Sequence, residues 1–193
     1  QQGDVVGARA AYLRPKPSSN EFSAAQSKLA WSYQSAGDKV QALKLARVAA
    51  ATGDLNGRLT LADLLAANET YPEAIEIWNG LIAEGKTADW QVYYARGRAY
   101  ERTGRWKEAE ADLSKALSMR PDEAELLNYL GYAWIDRGER LPEAMAMVEK
   151  AVAANPRSGA VIDSLGWAHY RLGDYPKAVG ILEQAVELEA GDP

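Results

Sequence analysis

The chain has 193 residues, of which 47% are hydrophobic and 25% are charged, and its formal net charge is −5. This acidic balance, without any block of lysine or arginine, disfavours nucleic-acid binding, which needs a basic surface. The absence of cysteine excludes disulfides, thiolate catalysis and cysteine-based zinc sites. No apolar stretch approaches the roughly 18–20 residues of a membrane helix, so direct membrane insertion is not expected.

Alanine recurs at a nearly constant spacing along the chain. The successive intervals are 34, 32, 35, 35 and 34 residues. The alanines are Ala8, Ala42, Ala74, Ala109, Ala144 and Ala178. A period of this length is typical of stacked helical hairpins, in which each repeat buries its apolar face against its neighbours.

In chain order, the pattern predicts a leading half repeat and five helix-turn-helix repeats. Residues 1–20 supply only the second helix of a hairpin. The complete repeats cover residues 23–54, 55–89, 90–123, 124–158 and 159–192. Because the chain starts midway through a hairpin and ends on the connector-like Gly191-Asp192-Pro193, we expect a single array over 1–193 that belongs to a longer one. Its uncapped ends are expected to allow weak self-association.

Glycine and proline mark the predicted turns and helix starts. Turn glycines follow the first helix of the last three repeats, at Gly104, Gly138 and Gly173. Gly173 can leave its helix with positive φ, which is a common helix stop. Glu69 takes this place in the repeat at 55–89. Second helices are expected to start at Pro72, Pro142 and Pro176, where a missing N–H costs nothing.

Two further local features concern capping and packing. Asp122 and Glu125, three residues apart, are expected to form a capping box for the helix that follows them. Gly166 shares a helix face with Ile162 and His169, and a glycine in this row lets the partner helix approach closely.

The last three repeats share a fuller pattern: Gly97-x2-Tyr100, Gly131-x2-Trp134 and Gly166-x2-His169, each followed by the turn glycine and the periodic alanine. This pattern resembles the tetratricopeptide repeat family. The resemblance implies an all-α fold, a right-handed superhelical solenoid of antiparallel helix pairs. It also implies that first helices line a concave groove, which binds a protein or peptide.

On each first helix, the residues next to the buried row around the helix axis are expected to face this groove. Their mixture of aromatic and polar side chains favours protein binding. The candidate binding residues are Trp31, Tyr94, Arg98, Asn128, Tyr129, Tyr132, Asp163, Trp167 and Tyr170. The same stripe contains Ser27, Gln34, Leu59, Asp63, Ala66, Glu101 and Ile135. The aromatics interpreted as core are Trp78, Trp90, Tyr100, Trp106 and Trp134.

Some members of the family clamp a C-terminal carboxylate with lysine and asparagine side chains on successive first helices. At the corresponding positions of this chain only Arg98 would serve, and Asp163 would repel a carboxylate. The resemblance therefore does not extend to a carboxylate clamp.

Residues that could suggest catalysis have structural explanations. His169, the only histidine, occupies the aromatic position of its repeat and is interpreted as a core or interface residue. Ser164 lies about 140° from it around the same helix, so the two do not face each other. The sequence contains no phosphate-binding loop or metal-ligand spacing. We expect a non-catalytic protein without a cofactor.

Two six-residue segments point to a narrower group within this family. They are Leu127-Asn128-Tyr129-Leu130-Gly131-Tyr132 and Ile162-Asp163-Ser164-Leu165-Gly166-Trp167. They are similar to the C-terminal repeats of long proteobacterial tetratricopeptide lipoproteins, some of which are envelope adaptors for a periplasmic processing protease. This implies an adaptor at the periplasmic face of the outer membrane, with the cytoplasm as the alternative location. Two other functions stay open: a non-catalytic arm of a larger enzyme, such as a glycosyltransferase or peptidoglycan-processing protein, and a self-assembling factor of a pilus or secretion machine.

Overall fold

A computed structural model describes residues 5–87 and 89–190 of the chain, and within these ranges it contains eleven α-helices and no strand. The helices are α1 (Val5–Tyr12), α2 (Phe22–Ser35), α3 (Lys39–Ala50), α4 (Leu55–Ala67), α5 (Tyr71–Ala83), α6 (Trp90–Arg102), α7 (Trp106–Met119), α8 (Ala124–Arg137), α9 (Leu141–Ala154), α10 (Gly159–Arg171) and α11 (Tyr175–Ala190). The start of the predicted half repeat and the expected connector Gly191-Asp192-Pro193 lie outside the described residues. The prediction of an all-α fold is confirmed.

The helices divide into two compact units, one ending at Ala109 and the other beginning at Glu110. In the first unit, consecutive helices from α1 to α6 contact each other, and the first helices α2 and α4 also meet. Leu29 of α2, Leu64 of α4 and Trp78 of α5 are among its fully buried side chains. The prediction of a single array over residues 1–193 stays a prediction.

The second unit has the same arrangement. Consecutive helices from α8 to α11 contact each other, and the first helices α8 and α10 also meet. Leu113 of α7, Leu130 of α8 and Val148 of α9 are fully buried in it. In both units, first helices of neighbouring repeats therefore lie side by side, which places their outward positions on one surface.

The predicted turns form with the expected backbone geometry. Gly104, Gly138 and Gly173 have φ of 75°, 71° and 84°, which confirms the positive φ predicted for Gly173 and shows the same conformation at the other two turn glycines. After Gly138, the amide of Glu139 donates to the carbonyl oxygen of Trp134 at 2.8 Å, as in a Schellman motif. Glu69, in the place of a turn glycine, has φ of 61°.

The helix starts confirm one prediction and correct another. Pro72, Pro142 and Pro176 each lie at the second residue of a second helix, as predicted. The capping box of Asp122 and Glu125 is wrong, because α8 begins at Ala124 and its N-cap is Glu123, without a side-chain cap. Asp122 is thus one residue too far upstream, and its carboxylate instead accepts from Lys150 Nζ at 2.5 Å.

Close packing at Gly166 also matches the prediction. A Cβ atom added to this glycine would lie 2.6 Å from Leu182 Cδ2 of α11 and 2.7 Å from Leu182 Cγ. Real Cβ atoms do not approach other atoms so closely, so α10 and α11 can lie at this distance only because residue 166 has no side chain.

Candidate functional site

Three equivalent positions on the first helices of the first unit hold Trp31, Asp63 and Arg98, and all three side chains are exposed. Trp31 is 41% exposed, which is unusual for a tryptophan in a packed helical array. Tyr94, in contrast, is only 7% exposed, and the Arg98 guanidinium lies 5.4 Å from the centre of its ring. Tyr94 therefore supports Arg98 and offers little surface of its own.

Asp63 borders two pockets of the first unit. One pocket of about 390 Å³ is lined by Leu55, Asn56, Leu59, Asp63, Thr87, Asp89, Gln91 and Val92. The other, of about 360 Å³, is lined by Asp63, Ala66, Ala67, Tyr71, Trp78, Ala95, Arg98, Ala99 and Arg102. We call them the acidic pocket and the tryptophan pocket.

The environment of Asp63 changes its ionisation. The carboxylate reaches solvent, but the helices on both sides displace much of the bulk water around it. This desolvation raises the pKa of Asp63 from 3.8 to about 6. Asp63 forms neither a hydrogen bond nor an ion pair with any residue that the structure describes.

Trp78 is one of the residues that line the tryptophan pocket. It is only 1% exposed, as its interpretation as a core residue predicted. Its indole N–H is buried without a hydrogen-bond partner among the described residues. A buried donor of this kind costs about 1–3 kcal/mol if it stays unsatisfied.

Aromatic side chains dominate the first-helix surface of the second unit. Tyr132 and Tyr170 are 41% and 48% exposed. The Trp167 ring is stacked on Tyr170, with 5.1 Å between centroids and 18° between planes. Tyr170 in turn lies 5.4 Å from the ring of Tyr175. This contiguous aromatic cluster is formed by the end of α10 and the start of α11.

The remaining candidates of the second unit are polar or partly buried. Asn128 and Tyr129 are half-buried on α8, and Asp163 is exposed on α10. Two buried polar atoms, the acceptor Asn128 Oδ1 and the donor Trp167 Nε1, lack a hydrogen-bond partner among the residues that the structure describes.

The structure places several other sequence candidates away from the surface. Ile135 is fully buried, so it offers no binding surface, and Tyr100 and Trp134 are buried as predicted. Trp90 and Trp106, also interpreted as core, are only partly buried. Sequence reasoning also missed that Tyr71, Asp89 and Arg102 line pockets, because a periodic pattern does not show which side chains border a cavity.

His169 and Ser164 are both buried. His169 Nδ1 lies 3.6 Å from Asp174 Oδ2, and the Ser164 hydroxyl donates to the carbonyl oxygen of Ala160 at 3.1 Å. These contacts give both side chains a structural role. Within the described ranges no cluster of potential metal ligands occurs, and no helix combines the length and apolar character of a bilayer span.

Comparison of the fold with solved structures finds close matches. MamA residues 41 to the end, from Desulfovibrio magneticus RS-1, superimposes with a TM-score of 0.73 at 20% identity, covering 89% of this chain and 97% of that one. YrrB, described as a tetratricopeptide protein with an unusual peptide-binding site, gives 0.67 at 16% identity, covering 97% and 94%. At these identities the likeness shows the fold.

The sequence itself matches family models. One tetratricopeptide repeat model matches residues 94–159, and a second matches residues 161–193. No curated protein matches the chain in a sequence comparison. The two models together cover just over half of the chain, and they agree with the helix pairs and with the fold comparisons. The chain therefore belongs to the tetratricopeptide repeat family.

Proposed function

We propose that this protein is a non-catalytic scaffold that binds a partner protein or peptide on the surface of its first helices. The observation that carries the proposal is the exposure of aromatic residues on the first helices of each unit. Trp31 is exposed on α2 of the first unit, and Tyr132 and Tyr170 are exposed on α8 and α10 of the second, whereas Trp78, Tyr100 and Trp134 are buried.

The aromatic cluster of the second unit has the properties of a binding anchor. Trp167 and Tyr170 already stack on each other, so binding would cost little side-chain entropy. Aromatic anchors of this kind contribute about 2 kcal/mol or more each in protein interfaces. The peptide-binding site ascribed to YrrB, which shares the fold, supports this proposal by analogy.

Affinity capture from cell extracts tests the proposal. The double variant Tyr132→Ala/Tyr170→Ala, which removes two exposed aromatic side chains, should no longer capture a specific partner, while its helical melting curve stays unchanged. The control pair Val40→Ala/Val48→Ala removes exposed apolar side chains from the second helix α3 and should retain the partner. Retention of every captured protein by the tyrosine variant would reject the first-helix surface of the second unit as the site.

The resemblance to proteobacterial lipoproteins supports a more specific proposal. We infer an envelope adaptor at the periplasmic face of the outer membrane that delivers clients to a processing protease. Protease accessibility of the tagged full-length protein in spheroplasts tests the location, and a cytoplasmic location would reject this adaptor role. A catalytic domain in the full-length gene would instead favour the role of a non-catalytic arm of an enzyme.

Self-association is a second candidate, because α11 carries an uncovered apolar stripe. Tyr175, Val179 and Val186 are each more than half exposed and lie at helical spacing on one face. Light scattering over a range of concentrations should show association that Val179→Lys abolishes. A monomer at every concentration would reject this candidate and leave the binding of other proteins as the function.

A further inference from the structure

Asp63 is a solvent-accessible carboxylate that borders both pockets and has no hydrogen-bond or ion-pair partner among the described residues. Two other carboxylates of the first unit are paired with arginines: Arg47 Nη2 donates to Glu73 Oε2 at 2.9 Å, and Arg58 Nη1 donates to Glu84 Oε2 at 2.7 Å. A charged group that is desolvated and unpaired costs free energy unless a ligand compensates it. Such groups are found preferentially at functional sites.

The acidic pocket has the chemistry of a site for a basic side chain. Leu59 and Val92 provide apolar surface for a methylene stem, and Asp63 and Asp89 are two carboxylates on its border. The amides of Asn56 and Gln91 also line it. Lysine and arginine pack their stems on apolar surface while their charged ends pair with acidic groups, so this pocket suits either residue.

The tryptophan pocket, on the other side of Asp63, differs in character. Ala66, Ala95 and Ala99 make its walls small and apolar, and Trp78, which is 1% exposed, also lines it. Arg102 lines it too and forms no ion pair with a described residue. This pocket therefore suits an apolar side chain.

We propose that the first unit binds an extended partner segment through a lysine or arginine placed between Asp63 and Asp89, with a neighbouring apolar residue in the tryptophan pocket. This inference rests on the proposed function, because it requires the first-helix surface to bind a segment of another protein. It adds the chemistry of the ligand, a basic residue beside an apolar one.

Charge complementarity decides between a basic and an acidic ligand. An acidic side chain in the acidic pocket would meet two carboxylates at close range, whereas a basic one would pair with both. Arg98 and Arg102 line the tryptophan pocket and are not among the residues that line the acidic pocket. Binding of a cation would also offset the desolvation that raises the pKa of Asp63.

The charged and titratable groups around Asp63 define the expected pH dependence. Asp89, the N-cap of α6, lines the acidic pocket together with Asp63, and Arg98 and Arg102 of α6 and Tyr71 of α5 line the tryptophan pocket with it. The corresponding position of α2 holds the neutral Trp31. Because Asp63 is the group that titrates near pH 6, binding of a basic residue should weaken as the pH falls from about 7.5 to about 5.

A positional library of short, acetylated and amidated peptides tests the proposal with the 193-residue chain. At about pH 7.5, pools with a fixed lysine or arginine should be retained about tenfold better than pools with a fixed glutamate. Asp63→Asn should lose this preference. Glu76→Gln, which removes a charge from the exposed face of the second helix α5, should keep it. The best single peptide should lose about tenfold in affinity when norleucine replaces its lysine or when the pH is about 5.

The outcomes separate this inference from the proposed function. Retention of pools without a preference for basic residues, or an Asp63→Asn variant that keeps the preference, overturns the inference and leaves peptide binding intact. Preference for fixed glutamate would also overturn it and would assign recognition to the arginines. If no pool is retained and the capture experiment also finds no partner, both the inference and the proposed function fail.

Discussion

Gly131 of α8 packs so closely on Val148 of α9 that a Cβ atom on the glycine would lie 2.9 Å from Val148 Cγ2. The same Cβ would lie 3.1 Å from the carbonyl oxygen of Ala144. Val148 is fully buried and stiff at χ1, so it cannot move aside easily.

We therefore expect Gly131→Ala to lower the free energy of unfolding by about 1–2 kcal/mol, because the overpacking outweighs the gain in helix propensity. Urea titration followed by circular dichroism measures this. Gly180→Ala on α11 is the matched control: nothing lies within 4 Å of its added Cβ, and it should stabilise the protein by up to about 1 kcal/mol. Equal effects of the two substitutions would contradict the packing argument.

Glu69 has a left-handed backbone, with φ of 61°, at a turn where other repeats have glycine. Glu69→Gly should raise the free energy of unfolding by about 1 kcal/mol, because glycine adopts this conformation without steric cost. The reverse substitution Gly104→Glu, at a turn with φ of 75°, should lower stability by a similar amount in the same denaturation assay. An unchanged or lower stability of Glu69→Gly would show that this turn is not strained.

Asp63 should make stability depend on pH. Its folded pKa of about 6 lies above the ordinary 3.8, so the folded state binds a proton more tightly than the unfolded state, and stability rises as the pH falls through 6 towards 4. Asp63→Asn should therefore stabilise the protein at pH about 7.5. Since the carboxyl is partly exposed, solvent screening reduces the gain to about 1 kcal/mol.

Thermal melts of both proteins between about pH 4 and pH 8 measure this effect. The difference between wild type and Asp63→Asn should shrink steadily as the pH falls below the pKa of Asp63. A constant difference across the range would show that desolvation does not raise that pKa. Residues at functional sites often lower the stability of the protein, so a carboxylate that destabilises the fold at neutral pH is also expected if Asp63 belongs to a binding site.

Trp134 is buried in the second unit, and its Nε1 donates to Glu110 Oε1 at 2.9 Å. Arg140 lies over the same ring, 4.7 Å from its centroid. Glu110→Ala would leave the buried indole N–H without its acceptor and should cost about 1–2 kcal/mol of unfolding free energy. Glu110→Gln keeps an acceptor oxygen and should cost less.

Glu108→Ala is the control for this prediction, because Glu108 lies on the same helix in an exposed pair with Arg105. Exposed pairs at this spacing contribute only about 0.3–0.5 kcal/mol. If Glu110→Ala proves no more destabilising than Glu108→Ala, the indole hydrogen bond does not contribute to stability.

The sequence by itself determined the features that arise within one repeat. The alanine period, the turns at Gly104 and Gly173 and the proline at the start of α9 follow from local backbone preferences, which residues a few positions apart decide. Gly166 could be predicted as a point of close approach because the same helix contact recurs in each repeat.

Only the tertiary structure decided which first-helix residues form a surface. Trp31, Tyr94 and Tyr132 belong to the same predicted stripe, yet Tyr94 is buried and the other two are exposed. The charged state of Asp63 likewise depends on helices that are distant in sequence. Exposure and desolvation are set by the side chains that neighbouring helices bring close, and a periodic pattern does not contain that information.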